Sequence, residues 1–282
     1  MSMGTPPPRQ KPRAEPVAEA SRRAAVAASC MRPEWPAPPG VQALVTLRGP
    51  HGRSQGPYAA FNLGRRAGDD PDAVEDNRRD LFLGASLPSW PWWLQQVHGT
   101  RVLQVAQVLP APPVGDGPPD AAPAADAAVT RTPGAVLAVL TADCLPVLLA
   151  ASDGSAVGAA HAGWRGLAAG VLEATLQALD LPAHDVVAWI GPGIGAAHYE
   201  VDAPVREAFA AVHAEDASAF TAVRAGRWRC DLARLACRRL QRAGVAAVCG
   251  GDFDTFADAR FYSYRRDGTR SGRMAALIWM RP

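Results

Sequence analysis

Three residues of this chain could hold a metal ion between them: His98 in Gln95-Gln96-Val97-His98-Gly99, Cys144 in Thr141-Ala142-Asp143-Cys144-Leu145-Pro146, and His161 in His161-Ala162-Gly163-Trp164-Arg165-Gly166. Two imidazoles and a thiolate fill three corners of a tetrahedron and leave the fourth to water or substrate, the arrangement of a catalytic rather than a structural zinc. Each lies at a strand end or break followed by Gly or Pro, where distant segments can converge on one edge of a sheet. Taken singly, a His or a Cys is more often a structural residue, and a free Cys packs as a small hydrophobe. The local motifs single these three out.

A second chemistry is anion binding. His161 leads through Gly163 to Arg165 and then to an apolar-periodic helix, so peptide N–H groups at a helix start and a guanidinium could share a phosphate. Near the C-terminus, Phe261-Tyr262-Ser263-Tyr264-Arg265-Arg266-Asp267-Gly268 puts two arginines before a turn, and on an extended segment only one of them faces a given side. Arg266 or Arg265 is expected to add positive charge to the site, and the alternation leaves open which of the two enters. Asn62 in Phe61-Asn62-Leu63-Gly64 and Gln96 beside His98 are further polar candidates. Asp143, next to Cys144, would face away from a metal on a regular strand and is expected to orient a ligand histidine instead. The Gly191-Pro192-Gly193 turn lacks the spacing of a dinucleotide fingerprint and reads as a close-approach loop in a pocket wall.

The elements that must position these groups alternate between strand and helix. Strands are expected over 41–47, 92–97, 101–108, 135–149 (one broken run carrying Asp143 and Cys144), 156–160, 186–190, 246–248 and 274–280. Helices are expected from Asp72, as N-cap with Glu75 completing a capping box, through Leu83, and over 167–179, 205–212 and 232–243. That order predicts a mixed α/β domain, an α+β sandwich of mixed sheets flanked by helices, over residues 40–282. Residues 1–39, rich in Pro, Ala and Arg, read as a disordered tail with at most a short helix over 15–29, and 110–125 as an exposed loop.

Composition narrows the function classes. A net charge of +2 over 282 residues, with arginines scattered, argues against a nucleic-acid binder. Five cysteines without a CxxC pair argue against a disulfide framework and for a reducing compartment. No apolar run is long enough to span a bilayer and no secretory signal is recognised, so a cytoplasmic protein acting as a monomer is expected.

Together the motifs resemble the polyphenol oxidase or laccase-domain family. The matching pieces are Asn62-Leu63-Gly64, Gly68-Asp69-Asp70-Pro71 with Asn77-Arg78-Arg79, Gln95 to Gly99, Ala142-Asp143-Cys144, His161 to Gly166, Ile190-Gly191-Pro192 and Ser263 to Gly268, in the family's order from about residue 41 to the end. The resemblance implies that His98, Cys144 and His161 bind a catalytic zinc, with copper as another ion that such ligands accept. It implies a sandwich similar to bacterial toxin deamidases, and purine nucleoside phosphorylase activity with adenosine deaminase activity on small substrates, a purine nucleoside and phosphate. The chain departs from the family where many members carry cysteines after Ile-Gly-Pro and it has Ala196-Ala197-His198. Three other readings keep the same residues: an amidase that edits peptidoglycan precursors, a metal-free enzyme with Cys144 as nucleophile, and a non-catalytic metal-binding protein. Copper-dependent phenol oxidation would need several His-X-His pairs that the sequence lacks.

Overall fold

Successive side chains of a strand point to opposite faces, and that alternation sorts the core of this chain into layers. The computed structural model describes residues 15–111 and 122–282. In chain order its elements begin with α1 (Glu15–Ala28), β1 (Cys30–Met31), β2 (Val41–Thr46), α2 (Pro71–Gly84), β3 (Val102–Val105) and β4 (Ala127–Thr130). They continue with β5 (Leu137–Thr141), β6 (Leu145–Ala151), β7 (Val157–Ala162), α3 (Trp164–Ala169), α4 (Val171–Leu179), β8 (Val186–Ile190) and β9 (Glu200–Asp202). The last are α5 (Ala203–Ala210), β10 (Phe220–Arg224), β11 (Arg227–Cys230), α6 (Leu232–Arg242), β12 (Ala247–Gly250), α7 (Tyr264–Asp267) and β13 (Met274–Met280).

Two sheets carry the architecture. One runs β1-β2-β13-β5 and is antiparallel throughout; the other runs β12-β8-β6-β7-β4-β3, parallel at its two edges and antiparallel between them. A small antiparallel sheet, β10-β11-β9, lies beside them in the topology. Val45, Val139 and Ile278 of the four-stranded sheet pack on Leu148, Val157 and Val187 of the six-stranded one. The opposite face of the first sheet, with Leu44 and Leu277, is covered by Val26 of α1 and Leu81 of α2. The opposite face of the second, with Val147 and Leu149, is covered by Leu172 of α4 and Leu235 of α6. The result is the expected mixed α/β sandwich, with helices outside two facing sheets.

Several local expectations change. The helix α2 starts at Pro71 and is capped by Asp70, whose carboxylate accepts from the Asp72 N–H, so Asp72 and Glu75 form no capping box. Pro71 suits the first helical position because its missing N–H would have no partner there. The single helix expected over 167–179 is two, parted at Gly170, which adopts a left-handed φ of 98°. Residues 92–97 form isolated bridges rather than a strand. The run over 135–149 is two strands in different sheets, because the chain crosses from one sheet to the other between Thr141 and Leu145. Of the segment read as a tail, residues 1–14 lie outside the described residues, whereas α1 buries Val26 against α2 and β1 pairs with β2. The middle of the loop expected over 110–125 also lies outside the described residues.

Candidate metal centre and its cavity

Cys144 sits on the crossover that joins the two sheets. There the chain reverses between β5 and β6 with Asp143 at φ 87°, a conformation that costs a non-glycine residue on the order of 1 kcal/mol. His161 lies on β7, paired opposite Pro146 of β6, two residues along the chain from Cys144. It is inside the strand, not after it. His98 comes from the loop before β3 and is also held at positive φ, 61°.

One carboxylate fixes both histidines. Asp126, fully buried at the start of β4, accepts from the backbone N–H groups of Val97, His98 and Gly99, and its Oδ1 lies 2.9 Å from His161 Nδ1. The bond takes Nδ1 of His161 and leaves Nε2 to face a metal. His98 Nε2 lies 3.8 Å from Cys144 Sγ, and the two imidazole rings meet edge to face with centroids 4.7 Å apart. A donor nitrogen from each histidine and the sulfur all lie within 4.8 Å of one another. Gly163 closes the site from below, since a Cβ there would stand 2.8 Å from His98 Cδ2 and 2.9 Å from Cys144 Sγ. Two nitrogens, a sulfur and a glycine cradle fit a tetrahedral transition metal with one open position.

Asp126 escaped the sequence reading, and Asp143 does not take the role expected of it. The only local signal for Asp126 is a lone carboxylate opening an alanine-rich strand. Asp143 accepts instead from the Thr255 hydroxyl and from the Arg265 N–H, tying the crossover to Thr255 and to the first turn of α7.

The three donors lie in the wall of a cavity of about 1280 Å³. At its metal end stand Arg165, Arg265, Arg273, Trp164, Tyr199 and Tyr264. The other end is walled by Trp90, Trp92, Trp93 and Arg78, with Arg65 and Arg66. Asp143 is the one carboxylate among the described lining residues, so the interior is strongly cationic. Gln96 lines the cavity, but both ends of its amide are bonded to the backbone of Leu140, which anchors the His98 loop to β5. Asn62 is buried outside the lining; its Oδ1 accepts from Gly64 and Arg273 N–H groups and so shapes the arginine's loop. Arg266 turns away and donates to the carbonyls of Thr255, Phe256 and Phe261, leaving the site to Arg265. The serine cap at Ser263 winds 264–267 into a helical turn, so the segment is not the extended one on which the two arginines would alternate. Arg165 stacks on Trp164 at 4.4 Å, on a helix of only six residues, so its guanidinium rather than a helix dipole carries the charge.

Charges in the wall perturb one another. Burial pushes the Cys144 thiol up, but the imidazoles of His161 and His98 outweigh it and bring the pKa down to about 6. Burial pulls His161 down, and the Cys144 thiolate and Asp126 reverse that, raising it to about 9. Without metal the pair is therefore a thiolate and an imidazolium at neutral pH.

A two-sheet sandwich with an open tripod of two imidazoles and a thiolate in a cationic cavity defines a candidate metalloenzyme of small substrates. The chain belongs to the family described as multi-copper polyphenol oxidoreductase laccase, whose model matches residues 42–281. It is 48% identical over 252 residues to a purine nucleoside phosphorylase of Pseudomonas aeruginosa, spanning 89% of this chain and 98% of that protein. It is 47% identical over 249 residues to the purine nucleoside phosphorylase YfiH of Escherichia coli, covering 88% and 97%. Among solved structures, a Neisseria meningitidis protein superposes with a TM-score of 0.83 at 42% identity, over 90% of this chain and 100% of that one. YlmD of Geobacillus stearothermophilus gives 0.77 at 32% identity, over 86% and 93%. The multi-copper description asks for more donors than the described residues bring together, which form this one group of three.

Proposed function

We propose that the chain is a zinc-dependent purine nucleoside phosphorylase that cleaves nucleosides such as inosine and adenosine with phosphate. The observation that carries the reading is the open three-donor site beside Arg165, Arg265 and Arg273, at one end of a cavity whose other walls are tryptophans. Relatives that share nearly half of its residues over almost their whole length are named purine nucleoside phosphorylases. When bound, the metal would supply Lewis acidity at its open position. The three arginines neutralise phosphate and hold it for attack on the sugar, and the tryptophans offer faces on which a flat heterocycle stacks. A closed structural site would need a fourth protein donor, and the described residues add none to the group.

Adenosine deamination is the proposed second activity. It needs a carboxylate to carry a proton beside the attacking water. Asp143 is the carboxylate available in the described lining, and both its oxygens already accept hydrogen bonds, so deamination is expected to be the slower reaction.

The test is chromatography of inosine and adenosine incubated with metal-quantified protein, with and without phosphate. Phosphate-dependent release of hypoxanthine and adenine, lost in Cys144→Ala, is the expected result. Inosine formed from adenosine reads the second activity. No turnover by fully zinc-loaded protein overturns the phosphorylase reading.

A further inference from the structure

The phosphorylase reading assigns the metal end of the cavity to phosphate and leaves Arg78, at the tryptophan end, without a task. Arg78 is 4% exposed and lines the cavity, with its guanidinium stacked on Trp93 at 4.1 Å. Its Nε and Nη2 both donate to the Leu63 carbonyl, and Nη1 donates to no described residue. Among the described residues no carboxylate lies within ion-pair distance of it, and Asp143 is the one carboxylate that lines the cavity. Trp90 and Trp93 are buried with indole N–H groups that bond nothing among the described residues. Burial lowers Arg78 to about 9, with the Arg65 charge adding to that and Glu75 opposing it, so the group stays a cation at neutral pH. A buried cation with a spare donor beside aromatic faces is suited to a flat ring that becomes negative.

We propose that Arg78 is a catalytic residue that stabilises the departing purine, its Nη1 donating to the acceptor edge of the base while the ring lies against the tryptophans. The proposal rests on the phosphorylase reading. In the step it serves, a phosphate oxygen bonds to the anomeric carbon as the bond from that carbon to purine N9 breaks. The electron pair of the broken bond goes to the purine, which leaves as an anion and then takes a proton from solvent. The donor-only guanidinium meets the ring where that charge spreads.

The experiment compares inosine with 7-methylinosine, whose cationic base leaves as a neutral molecule and needs no such help. In Arg78→Met, kcat/KM for inosine is expected to fall about 100-fold, the loss typical of one donor to developing charge, and for 7-methylinosine by less than about tenfold. Equal losses on both substrates overturn the assignment. Because Arg78 also holds the Leu63 carbonyl, the variant is first checked for unchanged melting temperature and zinc content. Where it fails that check, crystals of the unaltered protein with hypoxanthine and phosphate decide. A base within hydrogen-bond distance of Nη1 supports the role, and a base elsewhere, or none at saturation, overturns it. If the unaltered protein cleaves neither nucleoside, the phosphorylase reading fails and the role of Arg78 falls with it; if it cleaves both, the two substrates judge Arg78 alone.

Discussion

Between Cys144 and His161 the protein stores one proton whose release can be counted. Cys144 titrates near 6 and His161 near 9, so between those values the metal-free pair holds a single proton, on the imidazole. Both groups must be deprotonated to ligate. Zinc uptake at pH 7.5 is therefore expected to release about one proton from this pair, and affinity to rise about tenfold per pH unit from 6 towards 9. Above 9 the dependence flattens, and below 6 it steepens as Cys144 also takes up a proton. Calorimetry in buffers of different ionisation heat counts that proton, and ultraviolet absorbance of the metal-free protein shows where it sits; no thiolate band at pH 7.5 would mean that Cys144 is an ordinary thiol. At this scale the three candidate donors, which the fold brings within 4.8 Å of one another, were legible because each sits in a motif with its own glycine or proline. Asp126 was not, because its partners lie 27 to 35 residues away and nothing beside it in the sequence hints at them. Arg265 could not be told from Arg266 for a related reason: strand alternation describes an extended backbone, whereas Ser263 caps a helical turn there.

Elements meet at the site with little space to spare, and Gly163 shows it. Its backbone is ordinary for any residue, φ −68°, so a substitution there is judged on room alone. In Gly163→Ala the new methyl would press on His98 and on the Cys144 sulfur at under 3 Å, forcing one of them off position. The variant is expected to fold with an unchanged helix content and to bind zinc at least tenfold more weakly, read by competition with a chromogenic chelator. Unchanged affinity would mean that the Gly163 segment yields instead. Strands β2, β8 and β13 were legible to within a residue or two, each an apolar run of ordinary length. The crossover at residues 142–144 was not, because β5 and β6 are both nearly continuous buried runs, and such runs do not say which sheet they join. Gly170 likewise parts α3 from α4 in a stretch whose apolar period continues across it.

For the whole molecule, the two-sheet interface is one of the buried layers that hold the fold together. Leu148 is fully buried between the sheets, and Leu148→Ala is expected to lose about 3 kcal/mol, seen as a lower urea midpoint with an unchanged slope. A loss under about 1 kcal/mol would mean that the sheets close over the gap. The alternation of strands and helices announced a mixed sandwich, but its division into two facing sheets depends on pairings far apart in sequence, such as β13 between β2 and β5. That division bears on the site. His161 belongs to the six-stranded sheet, Cys144 immediately precedes its strand β6, and Asp126, which steadies the His98 loop, opens another of its strands. Arg78 rides on α2 and Arg273 leads into β13, both part of the layers built on the four-stranded sheet. The cavity is thus a vice with two jaws hinged at the crossover, one offering the three donors and the other facing them with arginine and tryptophan. Substitutions in the second jaw can retune which molecule is held without loosening the ion, so substrate choice in such a protein is free to drift while its metal chemistry stays put.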